Sequence, residues 1–412
     1  MDYRVIVIGG GIIGTSTAYY LSQLGVDVVL VESRDIAAGT SGSCDRAIML
    51  QSKTPGPTLD LAVESAAMYK NLEAELDANL EYREGGGMIL IETAAELEAI
   101  SSLVERQRSA GLDVQLLSGE EARRMQPELS EHILGSTWWS NDAEVNPLNV
   151  SFSMARKAAQ NGAQILLHTH VTGLIAETHR VTGVETSNGD CIYGDAIIVT
   201  TGVWTPKMFE KLGVDIPIIP RRGQILVSER VSPFLHCTVL SGAYIAAKLS
   251  KERATEDSVG IGLSMGQTGH GQLLIGGSRE FAGFDLGTSP EVTRAIAERA
   301  VRVFPHLANV NIIRTFSGLR PYTPDGKPII SDVPQWPGLY IAAGHEGDGI
   351  ALAPVTGKLA ARMACGLNPG RDLSPFSLSR FDASQFNASQ FSPLQVNSPQ
   401  LRSSEIADMG VH

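Results

Sequence analysis

The strongest constraint on the fold comes from three glycines near the start of the chain. A short β-branched run, Tyr3-Arg4-Val5-Ile6-Val7-Ile8, meets Gly9, Gly11 and Gly14 at the spacing Gly-x-Gly-x-x-Gly, and an apolar periodic stretch from Ile12 to Leu24 follows at once. This order predicts strand, tight turn and helix. Gly9 permits the sharp turn, Gly11 keeps a Cβ out of the path of a pyrophosphate, and Gly14 lets the helix lie close on the sheet. At Ile12 and Ile13 the helix start offers unpaired N–H groups and the positive end of its dipole. A second strand, Val28 to Val31, leads to Glu32, about twenty residues beyond the glycines, where a carboxylate accepts hydrogen bonds from an adenosine ribose. Ser33 and Arg34 follow it and join the candidate cofactor-binding residues. A glycine turn alone is an ordinary surface feature. Both strands, the helix and the terminal acid in register point to dinucleotide binding.

The chain of 412 residues, 43% hydrophobic and 19% charged, has material for roughly two or three packed regions. A net charge of −12 argues against nucleic acid or an anionic membrane as the main partner. Cys44, Cys191, Cys237 and Cys365 form no close pair of the kind that nucleates a zinc or iron–sulfur site. They are expected to be reduced, mostly buried thiols of a cytoplasmic protein. With the first strand starting at about residue 3 no room is expected for a signal peptide, and no apolar run approaches a bilayer span. The protein is therefore expected to be cytoplasmic, peripheral to a membrane only through partners.

After Glu32 the small, polar stretch to Arg46 is placed to return over a bound cofactor. The chain start together with Ala38-Gly39-Thr40-Ser41-Gly42-Ser43 resembles the flavin-dependent family that holds D-amino-acid oxidase, glycine oxidase, sarcosine oxidases and their dehydrogenase relatives. The resemblance implies flavin contacts from Thr40, Ser41, Gly42, Cys44 and Arg46. It extends to Ala196-Ile197-Ile198-Val199-Thr200-Thr201-Gly202-Val203-Trp204, to Pro220-Arg221-Arg222-Gly223-Gln224-Ile225, and to Gly318-Leu319-Arg320-Pro321 with the following Leu339 to Ile350. It implies an adenine contact from Val171 and cofactor contacts from Thr201, Gly202 and Trp204, although a plain strand-to-helix corner would use the same residues. Gly347, Asp348, Gly349 and Ile350 form a second glycine turn and helix start, with N–H groups for the pyrimidine edge of a flavin. By the same resemblance Arg320 receives the substrate carboxylate, its planar fork being suited to two parallel hydrogen bonds. A structural ion pair is the alternative for Arg320, and a core position the alternative for Tyr244. Tyr244 and His345 complete the catalytic candidates with Arg320, His345 without an assigned role.

Between these segments, helices are expected from Pro57 to about Leu80, Ala94 to Ala110, after Ser118, and from Pro147 to Asn161. A hairpin is expected around Asn188-Gly189. Trp138 and Trp139 are read as sheet packing. Strand-like pieces at Ala243 to Ala246 and Gly271 to Glu280 suit a mostly antiparallel sheet over the flavin. The expected architecture is α/β: a Rossmann-type FAD-binding domain of residues 1–86, 148–219 and 318–380, interleaved with a substrate domain of residues 87–147 and 220–317. Residues 381–412, with near-repeated Phe381, Phe386 and Phe391, form a low-complexity tail.

The resemblance implies FAD and hydride removal from a carbon bearing an amine. Gly318 stands where monomeric sarcosine oxidases carry the cysteine that holds flavin covalently, so noncovalent FAD is expected. Leu273 and Leu274 fall where those oxidases carry an oxygen-activating lysine, and a missing cation there favours a dehydrogenase. Ser43-Cys44-Asp45-Arg46 and Gly276-Gly277-Ser278-Arg279-Glu280-Phe281 are most similar to the catalytic β subunits of hydroxyproline, proline or opine dehydrogenases. This implies an amino- or imino-acid substrate such as D-hydroxyproline, proline or an opine. It also implies smaller partner subunits carrying an iron–sulfur cluster and further flavin, including FMN at a subunit interface. The alternatives are a stand-alone oxidase of glycine, sarcosine or a D-amino acid using oxygen, and a noncatalytic or tRNA-directed flavoprotein.

Overall fold

The computed structural model describes residues 3–249 and 260–381. Phe386 and Phe391 of the near-repeat lie outside the described residues. A six-stranded sheet has the spatial order Ile329–Asp332, Leu339–Ala343, Ala196–Val199, Arg4–Ile8, Asp27–Val31, Gln164–Leu166. Its pairings are parallel except for the Ile329–Asp332 edge. Parallel strands covered on both faces lose the polar alternation of half-exposed ones, and Val5, Ile6, Val7, Ile197 and Ile198 are accordingly buried. Helices Ile12–Gln23, Pro147–Gln160 and Gly349–Ala364 pack together on one face. The three-stranded sheet of Val171–Glu177, Arg180–Thr186 and Cys191–Tyr193 covers the other.

An eight-stranded sheet runs Ile312–Tyr322, Ile219–Arg230, Gln272–Arg279, Gly260–Gln267, Thr238–Ser241, Gly87–Ile91, Gly135–Trp138, Gln115–Ser118. It is antiparallel apart from the pairing of Thr238–Ser241 with Gly87–Ile91. Helix Pro290–Val303 seals one face through Val292, Ile296, Ala300 and Val303. The two sheets draw on alternating stretches of the chain, so each crossing brings residues distant in sequence to a common boundary.

Several local expectations are corrected. Ala243 to Ala246 belong to helix Gly242–Leu249, not to a strand. The chain leaves the sheet at Gly242, where a Cβ would lie 2.6 Å from the Leu90 carbonyl oxygen. The helix from Pro57 ends at Leu76, because Asp77 takes a left-handed conformation with φ 47°. Of the four cysteines, all free, only Cys237 is fully buried and Cys191 is exposed. Trp139 is buried, and Trp138 lies against Gly86, where a Cβ would come 2.2 Å from its ring. Among the described residues no helix is long and apolar enough to cross a membrane.

Candidate functional site

A cavity of about 740 Å³ opens between the two sheets, lined by Gly9, Gly11 and Glu32 from one side and by Gly223, Gly277 and Arg320 from the other. At the first glycine corner Gly9 has φ 108°. A Cβ on Gly14 would lie 1.8 Å from the Gly9 carbonyl oxygen and 2.6 Å from the Thr200 hydroxyl. Gly14 therefore fixes the turn and does not itself line the cavity. The Ser41 hydroxyl accepts from Ile12 N–H at 2.9 Å, so the loop after the second strand is tied to the helix start. The Glu32 carboxylate accepts from Gly10 N–H at 2.6 Å, from Arg34 N–H at 2.8 Å and from the Ser33 hydroxyl at 3.0 Å. Thr40 donates to the Leu319 carbonyl at 2.5 Å, joining the same loop to the strand that carries Arg320.

Ile12, Ile13, Ser33, Arg34, Thr40, Ser41, Cys44, Val171, Thr201, Gly202 and Trp204 all line this cavity. Trp204 stands at its rim, 38% exposed, with the Arg34 guanidinium 6.0 Å from the ring centroid. Burial pushes the Cys44 thiol up to about 12, and it donates to the Ser41 carbonyl at 3.1 Å, so it remains a neutral thiol. Two loop expectations are corrected. Gly42 turns from the cavity toward the Ala37 carbonyl, 2.5 Å from where its Cβ would stand. Arg46 pairs with Glu81 at 2.9 Å and is not among the lining residues, whereas its neighbour Asp45 is.

The second corner contributes His345, Gly347, Asp348, Gly349 and Ile350. Asp348, just before helix Gly349–Ala364, pairs at 2.8 Å with Lys53, which is only 3% exposed. Tyr69 donates to the Ile350 carbonyl at 2.6 Å. His345 Nε2 lies 3.1 Å from the Thr356 hydroxyl. Burial holds its pKa down at about 4, so at neutral pH it is an uncharged hydrogen-bonding group and not a proton source.

Arg320 lies across Gly223: a Cβ there would be 2.1 Å from Nη1. Nη1 donates to the Ser278 carbonyl at 3.0 Å. Among the described residues no carboxylate lies within ion-pair distance of Arg320, which removes the structural ion pair as its explanation. Tyr244 packs partly buried against the core of the six-stranded sheet while lining the cavity, and carries the Arg279 guanidinium 3.4 Å from its ring centroid. Beside them Arg221 is paired with Glu346.

Leu273 and Leu274 do not line the cavity, and Leu273 is packed in the core under helix Pro290–Val303. The cavity-facing part of that strand is Gly276, Gly277, Ser278 and Arg279. It therefore does bring a cation to the site, contrary to expectation. Arg279, Lys53, Gly223 and Thr200 escaped the sequence reading. Arg279 and Gly223 stand within segments quoted above, but only the cross-strand geometry gives them tasks; Lys53 has no motif around it.

The residues present fit a dinucleotide flavin. The first glycine corner is a backbone cradle that a Cβ would disrupt, and the second opens at Gly344, with φ 78° and a Cβ there 2.7 Å from the Thr323 methyl. Glu32 stands just after the second strand at the cavity wall, and the cavity volume suits a cofactor with a small ligand. A Cβ on Gly318 would lie 2.8 Å from that of Ser43, and glycine offers no side chain for a covalent link.

Comparison with known proteins agrees. The family described as DAO, FAD dependent oxidoreductase, matches residues 4–363. Hydrogen cyanide synthase subunit HcnC of Pseudomonas aeruginosa is 28% identical, the alignment covering 91% of this chain and 95% of that protein. Glycine oxidase of Geobacillus kaustophilus is 27% identical over 92% of this chain and 97% of the relative. The crystal structure of that oxidase superposes with a TM-score of 0.83 at 26% identity, covering 92% of this chain and 99% of its own. L-proline dehydrogenase from P. horikoshii superposes with a TM-score of 0.83 at 25% identity, covering 94% and 99%. The chain thus belongs to the DAO family of FAD dependent oxidoreductases, enzymes of amine and amino-acid oxidation, and its cofactor is FAD.

Proposed function

We propose that the protein is an FAD-dependent dehydrogenase of an amino or imino acid, a secondary amine of the D-hydroxyproline, proline or opine kind. In this proposal it works as the catalytic subunit beside smaller iron–sulfur and flavin partners, with FMN held at a subunit interface. The observation that carries the substrate class is Arg320: a guanidinium held in the cavity between two cofactor corners, with no described carboxylate against it. Its fork receives the substrate carboxylate and fixes the α carbon over the cofactor. Bound FAD supplies the hydride acceptor. Tyr244 and the glycine-lined wall of Gly223, Gly276 and Gly277 shape the space beside the substrate. His345, held neutral by burial, is not the group that takes the amine's proton at physiological pH.

Support for a dehydrogenase comes from the resemblance of residues 43–46 and 276–281 to dehydrogenase β subunits and from the L-proline dehydrogenase neighbour. A second possibility, an oxidase, is supported by Arg279, a cation on the strand where none was expected, and by the glycine oxidase relatives. Reoxidation of the substrate-reduced protein separates them. Slow reaction with oxygen and fast reaction with a dye acceptor is expected; rapid hydrogen peroxide formation by the single chain would establish the oxidase instead. Co-purification from the native host, with iron and flavin analysis, tests the partners.

A further inference from the structure

Apart from Arg34, which stands over the Trp204 ring at the rim, two guanidiniums, not one, line the cavity without a described carboxylate in ion-pair contact. Arg320 and Arg279 lie on strands Ile312–Tyr322 and Gln272–Arg279, which flank strand Ile219–Arg230 on either side. They approach closely, since Arg320 Nη1 binds the carbonyl of Ser278, the residue before Arg279. The two arginines on the intervening strand are answered: Arg221 by Glu346, and Arg222 by Glu280 and Asp285. Arg279 has the face of Tyr244, which offers a quadrupole but no charge. Burial and the nearby Arg221 and Arg320 guanidiniums push its pKa down, partly offset by Tyr244 and Glu346, yet an arginine does not give up its proton in a protein. A buried cation is costly unless paired.

We propose that the site takes an amine bearing two carboxylates, of the N-(carboxyalkyl) amino-acid class, with one acid on Arg320 and the second on Arg279. The inference rests on the amino-acid reading of the site and narrows it. A monocarboxylate leaves the Arg279 charge unanswered, whereas a diacid matches both guanidiniums. The narrowing is a difference in affinity between otherwise similar ligands. Tyr244 is then a positioning residue that holds Arg279 to the cavity wall.

The experiment titrates the FAD-loaded full chain with two thioether analogues in which sulfur replaces the reacting nitrogen, thiodiglycolate with two acids and (methylthio)acetate with one, and reads the change in flavin absorbance. The wild type is expected to bind the diacid at least about tenfold more tightly, as one added charge-assisted pair requires. In Arg279→Met that ratio is expected to fall toward one, and in Arg279→Lys to recover in part. Anaerobic flavin reduction by iminodiacetate against sarcosine is expected to show the same preference. Equal affinities in the wild type overturn the inference even if every variant misfolds, as does a ratio that survives in a folded, flavin-loaded Arg279→Met. If sarcosine reduces the flavin with an Arg320-dependent affinity but the diacid gains nothing, only the two-acid inference fails. If neither amine, nor any amino acid, reduces the flavin, the underlying amino-acid reading fails with it.

Discussion

Arg320 acts where it does because Gly223 has no side chain. The cross-strand packing leads to a paired expectation: Arg320→Leu raises the apparent substrate KM by roughly 30-fold or more, the loss of about 2 kcal/mol of charge-assisted bonding, while FAD stays bound. Gly223→Ala shifts it in the same direction, because its Cβ would occupy the place of the guanidinium. Steady-state kinetics with flavin content measured on the same samples checks both. His345 gives a pH expectation. Its folded pKa of about 4 is below the ordinary 6.5, so between these values the unfolded chain holds the extra proton. The stability linked to its neutral form is complete above about pH 6.5 and is lost as pH falls toward 4, by on the order of 3 kcal/mol. In melting scans from about pH 7 to pH 4 the wild type should therefore lose more stability than His345→Gln, and equal losses would contradict the linkage. At this scale the sequence is readable where a residue sits in a spaced motif, as Gly9, Gly14 and Arg320 do. It is silent on Lys53 and Arg279, whose tasks depend on Asp348 and Tyr244. The error over Leu273 was one of place along a strand: the same strand is core at Leu273 and cavity wall from Gly276 onward.

Helices Ile12–Gln23 and Gly349–Ala364 bring their N-terminal ends to the cavity and are locked to each other along their length. Ser16 donates to the Ala353 carbonyl at 2.8 Å, and a Cβ on Gly357 would fall 2.2 Å from the Ser16 hydroxyl. Gly357→Val therefore spreads both helix starts at once. The expected outcome is a loss of about 1–3 kcal/mol of stability together with weaker FAD binding, although Gly357 does not line the cavity. Denaturant unfolding and FAD titration of the apoprotein test this; normal FAD affinity in a destabilised variant would mean that the helix crossing does not set the cradle. The long elements were legible because their apolar residues recur at the helical period or run unbroken through a buried parallel strand. Helix Gly242–Leu249 was not, since Ala243-Tyr244-Ile245-Ala246 is too short and uniformly apolar to carry a period.

Across the whole molecule, the six-stranded sheet holds the glycine corners and the eight-stranded sheet presents Arg320 and Arg279 to the same cavity. The sequence conveys that two layers exist, through motif order. It does not convey strand order in the larger sheet, where Thr238–Ser241 runs parallel to Gly87–Ile91 from far earlier in the chain, because such pairings follow from packing between distant segments. The most direct test of the central claim is an anaerobic titration of the purified chain. It is expected to take up one FAD, and the flavin colour should bleach on addition of an amino or imino acid, with an apparent affinity that collapses in Arg320→Leu. A chain that does not bind FAD, or a flavin that bleaches with undiminished affinity in that variant, would contradict the account.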